Sequence, residues 1–207
     1  MNNSEWLKSG IISVITGCMF AGKTYELIRR LHVLKHAQKE IIVFNPKIDE
    51  RYIPGKIVSH NFKLSRIFGI LKSFGVKNRN EVIDLITKYE KINNKKIDVI
   101  AFDEVQFLPV DLFEYIEKWA QAGKIIICAG LDKDYADEYN SLMSRLLVRA
   151  DNVTKLSAIC EVCKGLAHRT QRMKNNKPVD YHNPKIWIGG KENYQARCNS
   201  CYKEFSK

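Results

Sequence analysis

The 207-residue sequence predicts an α/β fold: a mostly parallel sheet flanked by helices, with a small cysteine-bearing unit at its C-terminal end. Three observations predict it. Short apolar, β-branched runs alternate with segments of helical period. A glycine-rich loop joins the first run to the first helix. The helical period then stops near residue 160, where the first of two C-x-x-C pairs begins. Alternating strands and helices imply three layers around a mostly parallel sheet.

Ile11 to Ile15 is a β-branched run ending at Gly17, the pattern of a strand buried on both faces. From Lys23 the period becomes helical, with Leu27, Ile28, Leu31 and Leu34 on one face and Arg29, Arg30, Lys35 and Gln38 off it. Ile41 to Phe44 is a second strand, closed by Asn45-Pro46. Asp49 to Asn61 contains Pro54-Gly55 and reads as a loop. Val82, Ile86 and Tyr89 mark a helix, with Asn78 and Glu81 spaced as a capping pair. The polar run Lys91 to Lys96 reads as a loop before a third strand, Val99 to Phe102. Pro109 opens a helix whose inner face is Leu112, Ile116 and Trp119 or Ala120, and Gly123 is its expected C-cap. Ile125 to Ala129 is a fourth strand. Leu142, Leu146 and Leu147 give another helix, and Thr154 to Ile159 a fifth strand. Residues 164–197 are polar, hold Pro178 and Pro184, and show no helix period.

Composition narrows the class. A chain this long can bury about 70% of its unfolded surface, so it needs no disulfide staples. No apolar run approaches the ~20 residues that span a bilayer. Met1 to Gly10 carries Glu5 and Lys8 but no apolar signal core, so the expected compartment is the cytosol. The net charge of +11 suggests either a lysine-rich solvated surface or attraction to polyanions. The basic residues gather into no single stripe, so the first reading is preferred. Neither a nucleic-acid nor a membrane partner is expected.

Gly17-Cys18-Met19-Phe20-Ala21-Gly22-Lys23-Thr24 fits G-x-x-x-x-G-K-[ST]. Its glycines let successive backbone N–H groups point at phosphate oxygens, and the helix that follows adds its positive dipole end. Lys23 can reach the β- and γ-phosphates of ATP, and Thr24 can ligate Mg²⁺. Four fixed positions in eight do occur by chance. A strand before and a helix after weigh strongly against chance, and the fold is therefore expected to be P-loop NTPase-like.

The third strand ends in Asp103-Glu104, at the sheet edge where doubly wound folds bind ligands. Asp103 suits a Mg²⁺-supporting acid, and Glu104 a general base or a residue that positions the nucleophile. Without the phosphate loop, a surface acidic pair would be the better reading. Cys160-x-x-Cys163 and Cys198-x-x-Cys201 offer four thiolates, the complement of a closed, structural Zn²⁺ site. Two matched pairs make four unrelated buried thiols a poor explanation, and nothing thioredoxin-like supports a redox dithiol. Cys18 could be activated by loop amides, but a small residue that fits the turn is the simpler reading. Cys128 reads as inert core. The histidines show no shared metal spacing; His32 and His36 read as surface or helix-packing residues.

With these motifs in hand the chain resembles the type II (human-cytosolic-type) thymidine kinases. The loop and helix from Gly17 to Arg30 carry the first part of the resemblance. Lys47-Ile48-Asp49-Glu50-Arg51-Tyr52 looks like the family's D-x-R-Y stretch, and Asp103-Glu104-Val105-Gln106-Phe107 like its D-E-x-Q-F segment. Ala129 to Tyr135 is similar to its A-L-D-G-T-F segment, with Tyr135 where the family often has Phe. Ile188-Gly189-Gly190-Lys191-Glu192-Asn193-Tyr194 resembles the I-G-G-x-x-x-Y of its substrate lasso. The match runs from about residue 11 to about residue 202. His60-Asn61 stands where His-Asp is expected, and Trp187 where a smaller aliphatic residue is usual.

The resemblance implies a P-loop nucleotide-binding domain over 1–155 and a zinc-binding lasso domain over 156–207 that closes over a nucleoside. It implies transfer of the γ-phosphoryl of ATP to the 5′-hydroxyl of thymidine, with Glu104 as the base. Phosphate contacts are expected from Gly17 to Thr24 and from Asp49, Glu50, Arg51, Asp103 and Gln106. Nucleoside contacts are expected from Phe107, Leu131, Tyr135, Lys185, Ile186, Trp187, Ile188, Gly189 and Tyr194. Mg²⁺ with ATP, structural Zn²⁺, a homotetramer and feedback inhibition by dTTP complete what the resemblance implies. Two rivals remain: a P-loop ATPase without a nucleoside acceptor, and a zinc-ribbon nucleic-acid-binding module.

Overall fold

The computed structural model describes residues 7–48, 56–57, 71–182 and 189–204, with backbone alone at 56–57 and 71–72. The chain runs β1 (Ile12–Gly17), α1 (Lys23–His36), β2 (Ile41–Pro46), β3 (Lys56–Ile57), β4 (Leu71–Lys72), β5 (Phe74–Val76), α2 (Arg79–Asn93) and β6 (Val99–Phe102). After two 3-10 turns come α3 (Phe113–Gln121), β7 (Ile125–Ala129), α4 (Ser141–Arg149) and β8 (Asn152–Leu156). Five short strands end the chain: β9 (Ala158–Ile159), β10 (Leu166–Ala167), β11 (Arg169–Lys174), β12 (Lys177–Pro178) and β13 (Tyr194–Arg197).

The main sheet has the order β5-β2-β6-β7-β1-β8, and its neighbouring pairs are parallel. Alternate strand residues feed two cores. Ile12, Val14, Ile42, Phe44, Ile100, Phe102 and Ile126 pack against Val82 and Ile86 of α2, Ile116 and Ala120 of α3, and Leu142 and Leu146 of α4. Ile15, Val43, Val99, Ala101, Ile125 and Ile127 pack against Leu27, Ile28, Leu31 and Leu34 of α1. This is the expected three-layer arrangement. Truncating one fully buried leucine such as Leu31 to alanine costs about 2–5 kcal/mol, the lost transfer energy plus the cavity left behind.

Local signals end the helices. Asn78 Oδ1 accepts from Glu81 N–H at 3.0 Å, and Gly123, in the left-handed region at φ 85°, donates its N–H to Ala120 O at 2.8 Å. Four boundaries differ from expectation. The first strand, Ile12–Gly17, begins one residue after the expected Ile11 and ends at Gly17 as expected. The helix α2 continues through Asn93, and Asn94 ends it at φ 49°. The Pro109 helix begins as a 3-10 turn, Val110–Leu112. The fifth strand divides: Asn152–Leu156 stays beside β1, and Ala158–Ile159 leaves the sheet to pair with β10. Within the expected loop after Asp49, Lys56–Ile57 pairs with Leu71–Lys72. Arg30, expected off the apolar face, is buried: its Nε donates to Glu26 Oε1 at 2.8 Å and its Nη2 to Thr154 at 2.7 Å.

The C-terminal unit is a β-structure. β11 pairs with β13 from Arg169↔Arg197 to Arg172↔Tyr194 and turns back into β12 through Asn175-Asn176. Both asparagines have positive φ, 50° and 59°, as a two-residue hairpin of primed type requires.

Candidate active site

Sheet order builds the site. In a parallel sheet every C-terminal strand end lies on one edge, and β6, β7 and β1 are consecutive neighbours. The Asp103-Glu104 pair, the loop from Gly130 and the phosphate loop therefore emerge side by side.

The phosphate loop needs its first glycine. A Cβ on Gly17, at φ 135°, would stand 2.2 Å from Leu156 O. Gly22 has φ 85° and caps α1. Lys23 Nζ donates to Cys18 O at 2.8 Å. Burial lowers the Lys23 ammonium's pKa; Glu104 first, and Asp103 and Asp132 after it, oppose the shift. Thr24 Oγ1 donates to Asp103 Oδ2 at 3.0 Å. Asp103 is buried, and its carboxyl is pushed up to about 7 by that burial and by Glu104, against the Thr24 hydroxyl and the Glu104 N–H. A buried acid held this high beside a threonine hydroxyl is an oxygen donor set that a Mg²⁺ ion would suit, because the cation favours the ionised form.

Glu104 follows at φ 49°, a left-handed conformation that costs a non-glycine residue about 1–3 kcal/mol. The turn is held by Glu104 N–H on Asp103 Oδ1 at 3.0 Å and Phe107 N–H on Glu104 O at 3.1 Å. Gln106 Nε2 donates to Glu104 Oε2 at 2.6 Å, and Gln106 Oε1 accepts from Leu131 N–H at 3.0 Å.

Beyond Leu131 lies a packed aromatic cluster. Met19, Tyr135 and Tyr194 form a buried cluster with Phe20, Leu131, Ala136 and Val179 against it. The Arg172 guanidinium stands 3.8 Å from the Tyr135 ring centre and 5.3 Å from that of Tyr194, whose hydroxyl accepts from Arg172 Nε at 3.1 Å. The Tyr135 hydroxyl, extra where phenylalanine is usual, donates to Tyr181 O at 3.1 Å. Of the expected nucleoside residues, Leu131, Tyr135 and Tyr194 meet here. Phe107 is half-buried on the turn after Glu104. Gly189 lies in the approach to β13, where a Cβ would stand 2.5 Å from Asn193 Nδ2. Asp49, Glu50, Arg51, His60, Asn61, Lys185, Ile186, Trp187 and Ile188 lie outside the described residues.

The four paired cysteines converge. Their sulfurs all lie within 4.8 Å of one another, and Cys163 Sγ is 3.6 Å from Cys198 Sγ. Zn–S bonds of about 2.3 Å in a tetrahedron put sulfurs about 3.8 Å apart, so the donor set fits zinc. Burial opposes ionisation of Cys160, but the N–H groups of Cys163, Cys198 and Val162 bring it down to about 6. Cys201 is pushed up to about 12, chiefly by hydrogen bonding to Cys198. Four thiols so placed resist full ionisation unless a cation joins them.

This cysteine unit touches the phosphate loop. Cys18 packs with Ala158, Cys160, Ala167 and Ala196, and its thiol donates to Ala167 O at 3.4 Å. Burial raises the thiol's pKa, which favours the packing reading over a reactive one. Cys128 is fully buried and pushed up further, as inert core. Met19 N–H donates to Thr170 Oγ1 at 3.0 Å. Sequence reasoning missed Thr170, Arg172 and Asn140. The signal available was Asn175-Asn176, a hairpin turn that makes residues 169–174 a strand.

The chain is similar to known proteins. A family model described as thymidine kinase matches residues 10–202. A thymidine kinase of Mycoplasma capricolum is 43% identical over 195 residues, covering 94% of this chain and 90% of the relative. Those of Mesoplasma florum and Coprothermobacter proteolyticus are 42% and 40% identical, covering 96% and 93% of this chain and 94% and 90% of theirs. Among solved structures, a DnaB-like replicative helicase aligns with a TM-score of 0.51 at 12% identity, over 72% of this chain and 48% of that one. A separately solved ATPase domain also gives 0.51, at 11% identity, over 72% and 69%. These two likenesses show the P-loop NTPase-like fold alone. With a family model spanning nearly the whole chain and relatives above 40% identity, the chain belongs to the thymidine kinase family.

Proposed function

We propose that this chain transfers the γ-phosphoryl group of ATP to the 5′-hydroxyl of thymidine, with deoxyuridine as a further acceptor. The observation that carries it is one line of contacts from the phosphate loop to the aromatic cluster around Tyr135. Thr24 bonds Asp103, the Glu104 N–H bonds Asp103, Gln106 bonds Glu104, and Leu131 bonds Gln106 and packs against the Tyr135 cluster. Glu104 thus stands between the two ends.

Lys23 and the loop amides hold the donor phosphates. Thr24 is the residue to ligate Mg²⁺ and Asp103 the one to support it; the ion neutralises phosphate charge. Glu104 accepts the proton of the 5′-hydroxyl as that oxygen attacks phosphorus in line. Asp49 and Arg51 complete the phosphate end, with Arg51 hydrogen-bonding a transferred oxygen. Leu131, Tyr135 and Tyr194 enclose the nucleoside together with Phe107 and the 185–189 segment. Residues 156–207 act as a lasso domain on the nucleotide-binding domain 1–155, and zinc at the four cysteines cinches its base. Backbone groups near Gly189 read the O4 and N3–H of thymine. Cytosine presents the reverse pattern there, so a buried site of this kind discriminates by ~10⁴ or more. Family membership supports a homotetramer, dTTP as feedback inhibitor and a cytoplasmic location. Among the described residues no helix is long and apolar enough to cross a membrane.

The test is ADP release with MgATP and each nucleoside in turn, beside a nucleic-acid binding assay. Release that depends on thymidine or deoxyuridine, with deoxycytidine poor, supports the reading. Release indifferent to nucleoside returns the chain to a simple ATPase. Salt-sensitive nucleic-acid binding without kinase activity favours the ribbon alternative.

A further inference from the structure

The orientation of the Gln106 side-chain amide is decided by its neighbours. The backbone N–H of Leu131 can only donate, so the atom it reaches at 3.0 Å is Oε1. The other end is therefore Nε2, and it donates to Glu104 Oε2 at 2.6 Å. The side chain is buried, with Gln106 only 9% exposed, so neither bond is easily exchanged for water. Its backbone is pinned as well. Asn140 Nδ2 donates to Gln106 O at 2.7 Å, while Asn140 Oδ1 accepts from the N–H groups of Leu142 and Met143 at the start of α4. Space is reserved for the amide: a Cβ on Gly130 would stand 2.4 Å from Gln106 Oε1 and 2.7 Å from Met143 Cε.

We infer that Gln106 is a positioning residue that locks the Glu104 carboxylate to the acceptor-side loop at Leu131. The inference rests on the reading of Glu104 as the base. One end of the amide restrains a carboxylate oxygen; the other sets the height of the loop that carries Leu131 and Tyr135. The base and the acceptor-side loop are thereby held in one register. A displacement of about 1 Å between reacting groups can cost ~10²-fold in rate, which sets the scale of the effect.

The two ends can be separated. Gln106→Met keeps most of the volume and loses both bonds. Gln106→Glu keeps an oxygen for Leu131 N–H but puts a second carboxyl against Glu104. That pair either repels or shares a proton that occupies the base. Both variants, Glu104→Gln, and the double variant Glu104→Gln/Gln106→Met are to be measured for kcat, thymidine KM, MgATP affinity and Tm. Gln106→Met is expected to lower kcat by ~10–100-fold, raise thymidine KM and leave MgATP affinity unchanged. Gln106→Glu is expected to lower kcat with thymidine KM little changed. In the Glu104→Gln background Gln106→Met should cost at most ~3-fold more in kcat, since residues acting through one another are not additive. Should Gln106→Met not fold, Gln106→Glu carries the kcat–KM split alone.

Wild-type kcat in both Gln106 variants overturns the inference. So does a full, additive loss in the Glu104→Gln background, or MgATP affinity that falls in step with kcat. If Glu104→Gln itself keeps wild-type kcat, the base reading fails and takes this inference with it. An inactive Glu104→Gln beside fully active Gln106 variants sinks the inference alone.

Discussion

Thr170→Val tests whether the cysteine-bearing unit sets the phosphate loop. Valine matches threonine in shape and keeps the strand preference of β11, but it replaces the hydroxyl that accepts Met19 N–H at 3.0 Å. Thr170 is 3% exposed and Met19 9%, so the freed N–H has little access to water. A buried donor left without its acceptor costs about 1–3 kcal/mol. If the loop stays in place the cost appears as lost stability, a fall in Tm of about 2–12 °C for a chain of this size. If the loop turns the N–H elsewhere, Met19 moves within the cluster it shares with Tyr135 and Tyr194. The cost then appears as a KM for thymidine or MgATP raised by ~5–150-fold. Thermal unfolding and steady-state kinetics on one preparation read both routes. Thr170→Ser restores the hydroxyl and should recover most of either effect. A Thr170→Val protein with unchanged Tm and unchanged KM values would refute the coupling.

Glu104→Gln should lower kcat by ~10²–10⁴-fold with thymidine and MgATP affinities little changed; a variant that keeps most of its kcat rules out the base role. Elemental analysis should find about one zinc per chain. Cys198→Ser should raise KM for MgATP as well as for thymidine, because Cys18, Phe20 and Ala21 pack in the cluster that includes Cys198 and Cys201; a MgATP KM left at its wild-type value would contradict that packing. Asp103 yields a dependence on pH. Its folded-state pKa, about 7, lies above the ordinary value of 3.8, so the stability gained from the protonated form is whole below the lower value and lost as pH rises through the upper. Mg²⁺ favours the ionised form, so its addition should raise Tm more at pH ~8 than at pH ~5; an equal rise at both would place the ion elsewhere.

The parts legible from sequence are those in which local physics and function coincide. Gly17 to Thr24 must be glycine-rich to bend and must precede a helix to bind phosphate, so motif and context identified each other. The apolar faces of β1, α1, β6 and β7 follow from period alone, and all are buried as expected. The two C-x-x-C pairs pointed to a four-sulfur cluster of the kind that suits zinc, and the four sulfurs do converge.

What tertiary structure alone decided is the set of polar residues whose partners lie far along the chain. Thr170, Gln171 and Arg172 read as part of a polar segment but are buried, because one face of β11 sets Thr170 and Arg172 against Met19 and Tyr135 while Gln171, on the other, bonds the Lys203 backbone. Thr170 meets Met19 151 residues away, and Leu131 meets Gln106 25 away. No periodicity encodes such pairings: a hydroxyl or an amide has the same hydropathy whether it faces water or a buried N–H. Sequence alone determined the sheet, the loop, the acid pair and the four sulfurs. Strand order decided that β6, β7 and β1 end side by side, and so which of those groups share a site.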